Sequence, residues 1–307
     1  MNKITIGIPK AFLYYRYHIL WENFFKNLNC NIVVSNDTTK KTIELGKKYS
    51  IDESCLSSKI YIGHVAELKD KCNYILIPRV DNYGKNEKVC VKFNATYDIV
   101  KNLFPNTKIL DYNIDKKKNP FTFISFLRLG LKVNKNPYKV LKSYLNAKKE
   151  YSKYNKKRYL EQTEKFNNNK LKILIVSHPY NIYDNFIGNP IVKKLESMNI
   201  EIIYADKLNP KISRMYASNL SPTLYWTYSK ELIGAIPYYK YSVDGVIFLT
   251  SFPCGPDSLV NELILRKIDY IPKTNILKDE LSSNTGLETR LESFIDIIKE
   301  RREKNEK

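Results

Sequence analysis

The chain has 307 residues, 43% of them hydrophobic, a length that implies two domains of ordinary size and a composition sufficient for buried cores. No apolar run approaches the ~20 residues of a membrane-spanning helix, and Met1 leads directly into strand-like Lys3-Ile4-Thr5-Ile6-Gly7 with no signal-peptide pattern, so a cytoplasmic location is expected. Five cysteines in such a chain argue against a disulfide framework and leave metal binding, catalysis or burial.

Taken in chain order, the first half alternates strand and helix. Residues 4–8 form an apolar strand ended by Pro9. A helix over about 11–27 carries Leu13, Tyr17, Leu20, Trp21 and Phe24 at helical spacing. A β-branched strand is expected at 31–35, a capped helix from Asp37-Thr38-Thr39 to about 48, and a third helix opening near Cys55 and running to about 68. The next strand, 74–77, is stopped by Pro78. The second half repeats the pattern: strand 172–177, helix 190–198, strand 201–205, strand 243–250, helix 257–266, a short strand around Ile271, and a terminal helix over 287–303. This alternation predicts an α/β fold with two doubly wound, flavodoxin- or Rossmann-like parallel-sheet domains. The expected division is 1–115, a helical basic connection over 116–169, and 170–307.

The net charge of +19 comes from 51 Lys/Arg against 32 Asp/Glu. Between Pro137 and Lys172 there are eleven Lys/Arg and three Glu, interleaved with Tyr138, Tyr144, Tyr151, Tyr154 and Tyr159. Such a segment can contact a phosphate backbone. No zinc-finger spacing, RNP-like motif or Gly-rich phosphate loop accompanies it, and a solvated helix face is the preferred reading.

Function in a parallel sheet gathers at the carboxyl ends of its strands, and that rule sorts the cysteines. Cys90 lies after the strand ending at Ile77, Cys254 after the strand ending near Phe252, and Cys55 opens a helix that must run back down its sheet. Cys30 and Cys72 immediately precede strands, at the opposite edge, and are expected to be structural. Thiolates are soft ligands for iron–sulfur clusters, zinc or Cu(I). The spacings of 35 and 164 residues lack the short CxxC pairs of structural zinc. They suit a bulkier cluster held by separate loops from both domains. Cys55 and Cys254 also stand at helix N-termini, which favour a thiolate.

Several segments together resemble the proteins related to 2-hydroxyacyl-CoA dehydratases, and more narrowly the domain found alone or fused behind acyl-CoA dehydratase activases. They are Ile6-Gly7-Ile8-Pro9-Lys10-Ala11-Phe12-Leu13-Tyr14-Tyr15, Asp52-Glu53-Ser54-Cys55 with Gly63-His64-Val65, and Ile77-Pro78-Arg79 with Cys90-Val91-Lys92-Phe93. Further along stand Ser177-His178-Pro179-Tyr180-Asn181-Ile182-Tyr183-Asp184, Leu224-Tyr225-Trp226-Thr227, and Ser251-Phe252-Pro253-Cys254-Gly255-Pro256-Asp257-Ser258. The resemblance implies that Cys55, Cys90 and Cys254 hold one [4Fe–4S]-type cluster with an open iron site, or a double-cubane variant. It implies reduction by an ATP-dependent activase partner for a radical dehydration of an acyl-CoA substrate or a related reduction, by a lyase-like or reductase-like enzyme that works as a homo- or heterodimer.

His178 is a candidate acid/base or supporting donor, and Glu53 a candidate for substrate contact or a first-turn carboxylate. His64 and His18 are expected to be structural. One departure bears on catalysis: where relatives carry Asp-Glu-His-[Ser/Thr]-Gly-Glu, this chain has Asp279-Glu280-Leu281-Ser282-Ser283-Asn284. The alternatives are therefore a non-catalytic electron-transfer or cluster-carrier protein and a basic nucleic-acid-binding module.

Overall fold

The structure, a computed structural model, describes residues 3–281 and 284–305. Of the altered segment, Ser282 and Ser283 lie outside the described residues, as does the Asn284 side chain. The chain divides into two compact units, Met1–Lys157 with Tyr225–Thr227, and Arg158–Leu224 with Tyr228–Lys307.

In the first unit the elements run β1 (Thr5–Ile8), α1 (Tyr14–Asn27), β2 (Asn31–Val34), α2 (Lys40–Lys48), α3 (Leu56–Leu68), β3 (Tyr74–Leu76), β4 (Arg79–Gly84), β5 (Glu87–Lys88), α4 (Lys92–Leu103), β6 (Ile109–Leu110) and β7 (Asn113–Asp115). They are followed by α5 (Thr122–Leu131) and α6 (Pro137–Glu164), the latter reaching Lys157 within this unit. Strands β2-β1-β3-β6 form an all-parallel sheet. Their apolar residues Ile6, Ile8, Ile75 and Leu76 are at most 1% exposed, and α1 buries Leu20, Trp21, Phe24 and Phe25 at the expected helical spacing.

β3 ends at Leu76, before Pro78 as expected, and the chain resumes beyond the proline as a separate strand, β4. Ile77 and Arg79 on either side of it donate to the carbonyls of Leu110 and Tyr112, and β4 continues into a small sheet of order β5-β4-β7. The proline falls at the alternate position, whose N–H would face β1, and β1 has already ended at Ile8. The stretch before Cys90 is accordingly a hairpin, β4 antiparallel to β5, rather than a loop.

The second unit contains the end of α6, then β8 (Lys172–Val176), α7 (Pro179–Ile182), α8 (Asn189–Ser197), β9 (Glu201–Tyr204), α9 (Pro210–Leu220), α10 (Thr227–Ile233, within this unit from Tyr228) and α11 (Ala235–Tyr238). It closes with β10 (Gly245–Ser251), α12 (Gly255–Lys267), β11 (Lys273–Lys278) and α13 (Asn284–Asn305). Its sheet, β11-β10-β8-β9, is all parallel. Every residue of the central strands β8 and β10 is buried, as strands covered on both faces require. The last strand begins two residues beyond Ile271, since Pro272 can offer β10 only its carbonyl, which accepts from Val246 N–H at 2.9 Å. Counted by chain position, both sheets have the order second, first, third, fourth. This is the doubly wound α/β arrangement expected from the sequence, present twice.

Helices α2 and α3 meet backbone to backbone. A Cβ on Gly46 would lie 1.9 Å from the Lys59 carbonyl oxygen, and one on Gly63 would lie 2.1 Å from that of Thr42. Beside this contact His64 is fully buried, its Nε2 3.0 Å from Thr38 Oγ1 and its Nδ1 3.8 Å from Glu67 Oε2. Burial, reinforced by Lys10 and opposed by Asp37, lowers its pKa to about 4.

Two outcomes follow from this contact. Gly63→Ala must part α2 from α3 and is expected to cost about 3 kcal/mol, measured as a fall in the urea midpoint. Gly255→Ala, whose Cβ would meet nothing within 4 Å, serves as the neutral control. The second concerns pH. His64 binds its proton more weakly folded than unfolded, so its stabilisation is fully present above the unfolded pKa near 6.5 and is lost as pH falls toward 4. The loss amounts to about 3 kcal/mol. Stability of His64→Gln measured at pH 7, 5.5 and 4 should fall less steeply than wild type by that amount, and parallel curves would disprove the assignment.

Candidate functional site at the carboxyl edges of the two sheets

In a parallel sheet each helix that returns the chain to the next strand must begin at the carboxyl edge. In the first unit that fixes the starts of α3, which leads into β3, and of α4, which leads into β6. Cys55 is the N-cap of α3, with its carbonyl accepting from Ser58 and Lys59 N–H at 2.8 and 3.1 Å and its side chain making no cap hydrogen bond. Cys90 follows β5, and its carbonyl accepts from Phe93 N–H at 3.0 Å at the opening of α4. Both thiols are half-buried. Their segments are tied together: the Lys92 ammonium donates to Ser54 Oγ at 3.4 Å.

The strand before Cys90 is held from its other side by Tyr225–Thr227. Lys88 N–H donates to the Tyr225 carbonyl at 2.9 Å, Lys88 pairs with Trp226 as a parallel bridge, and its ammonium lies 5.6 Å from the Tyr225 ring centre. The Leu224-Tyr225-Trp226-Thr227 motif thus supplies a seat for β5. Between the ends of β1 and β3, where the strand order reverses, lies a crevice lined by Ala11, Phe12, Tyr61, Pro78, Phe93 and Thr96, with room for about one water. Phe12 adopts φ +47°, a left-handed conformation costing about 1–3 kcal/mol for such a residue. Its ring stacks on Tyr61 at 5.0 Å and leans on Phe93 at 5.2 Å, contacts from the two helices that Cys55 and Cys90 introduce.

In the second unit Cys254 is the N-cap of α12, again with no side-chain cap bond and half-buried. The equivalent crevice, between the ends of β8 and β10, is polar, with Ser177, His178, Ser229, Thr250, Asp257 and Asn261 in its walls. His178 Nε2 and Asp257 Oδ1 are 2.9 Å apart and both residues are 6% exposed. The Tyr180 ring stacks on the imidazole at 4.8 Å and 9°, and Tyr228 meets its edge at 6.4 Å. Beyond it the motif Ser177–Asp184 builds structure. Asp184 Oδ1 accepts from Phe186 and Ile187 N–H at 2.9 and 3.0 Å. Tyr183 donates to Asp206 at 2.8 Å, and Arg158 donates to both.

Cys30 and Cys72 stand apart from the other three. They precede β2 and β3 at the amino edge, burial raises both thiol pKa values, and Cys72 Sγ donates to the Leu68 carbonyl at 3.3 Å. Glu53 is exposed and lies outside α3, whose first turn carries no acidic residue, so the reading of it as a first-turn carboxylate does not hold. Leu281, in the place where the resemblance expects His, is 85% exposed just beyond β11.

Two residues were not singled out from the sequence. Asp257 lies inside a quoted motif but acquires its role only through His178, 79 residues away. Lys278 ends β11 at 2% exposure, with burial lowering its ammonium pKa against the opposing effect of Asp279, and its ammonium lies 5.6 Å from the Phe186 ring centre. A lysine closing the apolar run Ile276-Leu277 was the available signal. Among the described residues, no three His, Cys, Asp or Glu side chains are gathered as ligands of a single metal ion, no disulfide joins the cysteines, and no helix is long and apolar enough to cross a membrane.

Residues 5–208 match the family described as the CoA enzyme activase uncharacterised domain (DUF2229), a match that includes Cys55, Cys90 and His178 and ends before Cys254. No curated protein matches the chain significantly. Among solved structures, the Streptococcus pneumoniae AdcAII protein aligns over 97% of this chain and 99% of its own at 10% identity, with a TM-score of 0.31, too low to carry over fold or function. With two thirds of its length inside the family match, the chain belongs to the family of the CoA enzyme activase uncharacterised domain (DUF2229).

Proposed function

We propose that this protein is an iron–sulfur protein of the activase-linked acyl-CoA class, with Cys55, Cys90 and Cys254 as cluster ligands and an ATP-dependent activase as electron donor. The observation that carries the reading is the sorting of the thiols. Three of five cysteines are half-buried at helix starts on carboxyl edges, and the two at the amino edge have burial-raised pKa values.

The donors fit such a group. Thiolate sulfur is the ligand that iron–sulfur clusters use, and a helix N-terminus stabilises an anionic sulfur through its exposed N–H groups. Cys55 and Cys254 occupy N-cap positions, where Ser, Thr, Asp or Asn would ordinarily cap the helix. A cysteine there gives up about 1 kcal/mol of capping, a cost that sulfur ligation explains. When bound, a cluster with an open iron site supplies a one-electron port and a Lewis acid.

Orientation comes from the chain's own residues. Lys92 holds the Cys55 turn against the start of α4 through Ser54. The Phe12, Tyr61 and Phe93 rings line the crevice at the first switch point. Glu53, exposed two residues before Cys55, is the carboxylate proposed to meet substrate.

A non-catalytic electron carrier is the second reading, favoured by exposed Leu281 in place of a histidine. Protein purified anaerobically and reconstituted should be brown and contain iron and sulfide, with an EPR signal on reduction. Cys55→Ala, Cys90→Ala and Cys254→Ala should each lose most of the iron, whereas Cys30→Ala and Cys72→Ala keep it. A colourless, iron-free wild type ends the proposal. Activase-driven reduction without turnover of any 2-hydroxyacyl-CoA would select the carrier reading.

A further inference from the structure

We infer that His178 is a positioning residue, clamping through Asp257 the first turn of α12 and with it Cys254; as a statement about a cluster ligand this rests on the function proposed above. The geometry supports a clamp better than direct acid/base chemistry. The His178 side chain is 7% exposed and its Nε2 is committed to Asp257 Oδ1 at 2.9 Å. One face of its ring is covered by Tyr180 and its edge is met by Tyr228.

Asp257 is the third residue of α12, so the bond joins the end of β8 to the turn that Cys254 begins. The surroundings of that turn are open: Phe252 is 50% exposed, a side chain on Gly255 would touch nothing within 4 Å, and the Cys254 side chain makes no cap hydrogen bond to the helix N–H groups. First turns lack intrahelical partners for their N–H groups and fray most readily. A buried hydrogen bond between a carboxylate and an imidazole held by two aromatic rings fixes this one.

The parallel within the first unit is instructive. There the turn carrying Cys55 is tied by the Lys92–Ser54 hydrogen bond, a contact between neighbouring helix starts. In the second unit the tether comes from the strand end across the switch point. Its chemistry differs, but it too joins a residue within one helical turn of a cysteine to a second carboxyl-edge element.

The test uses the full chain and hydrogen exchange of the amides of residues 258–261, which bond back to the carbonyls of residues 254–257. In metal-free protein, His178→Leu should accelerate their exchange on the order of tenfold, from loss of one buried charge-assisted bond, while β8 amides keep their rates. His178→Gln, which can still donate to Asp257, should restore most of the protection. Should His178→Leu not fold, Asp257→Leu, which removes the acceptor with little change of shape, offers the same comparison.

Unchanged exchange at 258–261 in a folded variant overturns the clamp, whatever Cys254 binds. On reconstituted protein, a shift of cluster reduction potential and EPR spectrum in His178→Leu, reversed in His178→Gln, supports positioning of the ligand. An identical potential and spectrum in all three overturns that part. If wild type takes up no iron, the ligand role falls, and the exchange rates judge the clamp alone.

Discussion

A parallel strand has a direction, and everything about the site rests on that polarity. When each strand is followed by a helix that returns the chain, every such helix must begin on the same edge. Helix N-termini, with their unpaired N–H groups and positive dipole ends, therefore collect along the carboxyl edge. Both units use the same strand order, second, first, third, fourth, and so each has a switch point between its first and third strands. The carboxyl edges hold Cys55 and Cys90 in one unit and Cys254 in the other. Nothing about the three cysteines as an isolated set requires this placement, and the connections around them do.

The same polarity explains what sits between the strand ends. In the first unit the switch-point crevice is lined by aromatic rings, and the left-handed backbone at Phe12 is the cost of turning its ring onto Tyr61 and Phe93. In the second it is lined with hydrogen-bonding groups, and Asn261 donates to Thr250 Oγ1 at 2.7 Å beside the His178–Asp257 pair. Two copies of one topology thus diverge in chemistry at the equivalent place, one lined mainly by aromatic and aliphatic side chains and one richer in hydrogen-bonding groups. Apolar walls raise the cost of an unpaired charge, whereas the polar walls satisfy the groups they bury.

Much of this was legible in the sequence because periodicity and punctuation encode it directly. The apolar runs at Ile173-Leu174-Ile175-Val176 and Val246-Ile247-Phe248-Leu249 can only be central strands of a covered sheet, and both are fully buried. The edge on which each cysteine falls follows from whether a strand precedes or follows it. What escaped the sequence reading depends on partners distant in the chain. Pro78 reads as a strand stop, and β3 does end before it, but the resumption of hydrogen bonding at Arg79 as β4 is not written in the local sequence. Whether its missing N–H matters depends on where β1 ends, seventy residues earlier. Asp257 could not be assigned for the same reason. A carboxylate in a first helical turn is ordinary, and it becomes a tether only when β8 brings His178 within 2.9 Å.

The substitution at Leu281 acquires a place through this geometry. β11 pairs with β10 in parallel register up to Lys278 opposite Ser251, so residue 281 leaves the sheet at the same edge as Cys254. A leucine side chain 85% exposed there can neither donate nor accept a hydrogen bond, while its N–H donates to Asp279 Oδ1 at 2.8 Å. Cys254 still caps α12, and Asp257 still meets His178. On the function proposed above, a leucine where the resemblance expects a histidine alters the rim of this edge and leaves its interior contacts in place. That separation of rim from frame is why the electron-carrier reading and the catalytic reading share one set of cysteines and part only at residue 281.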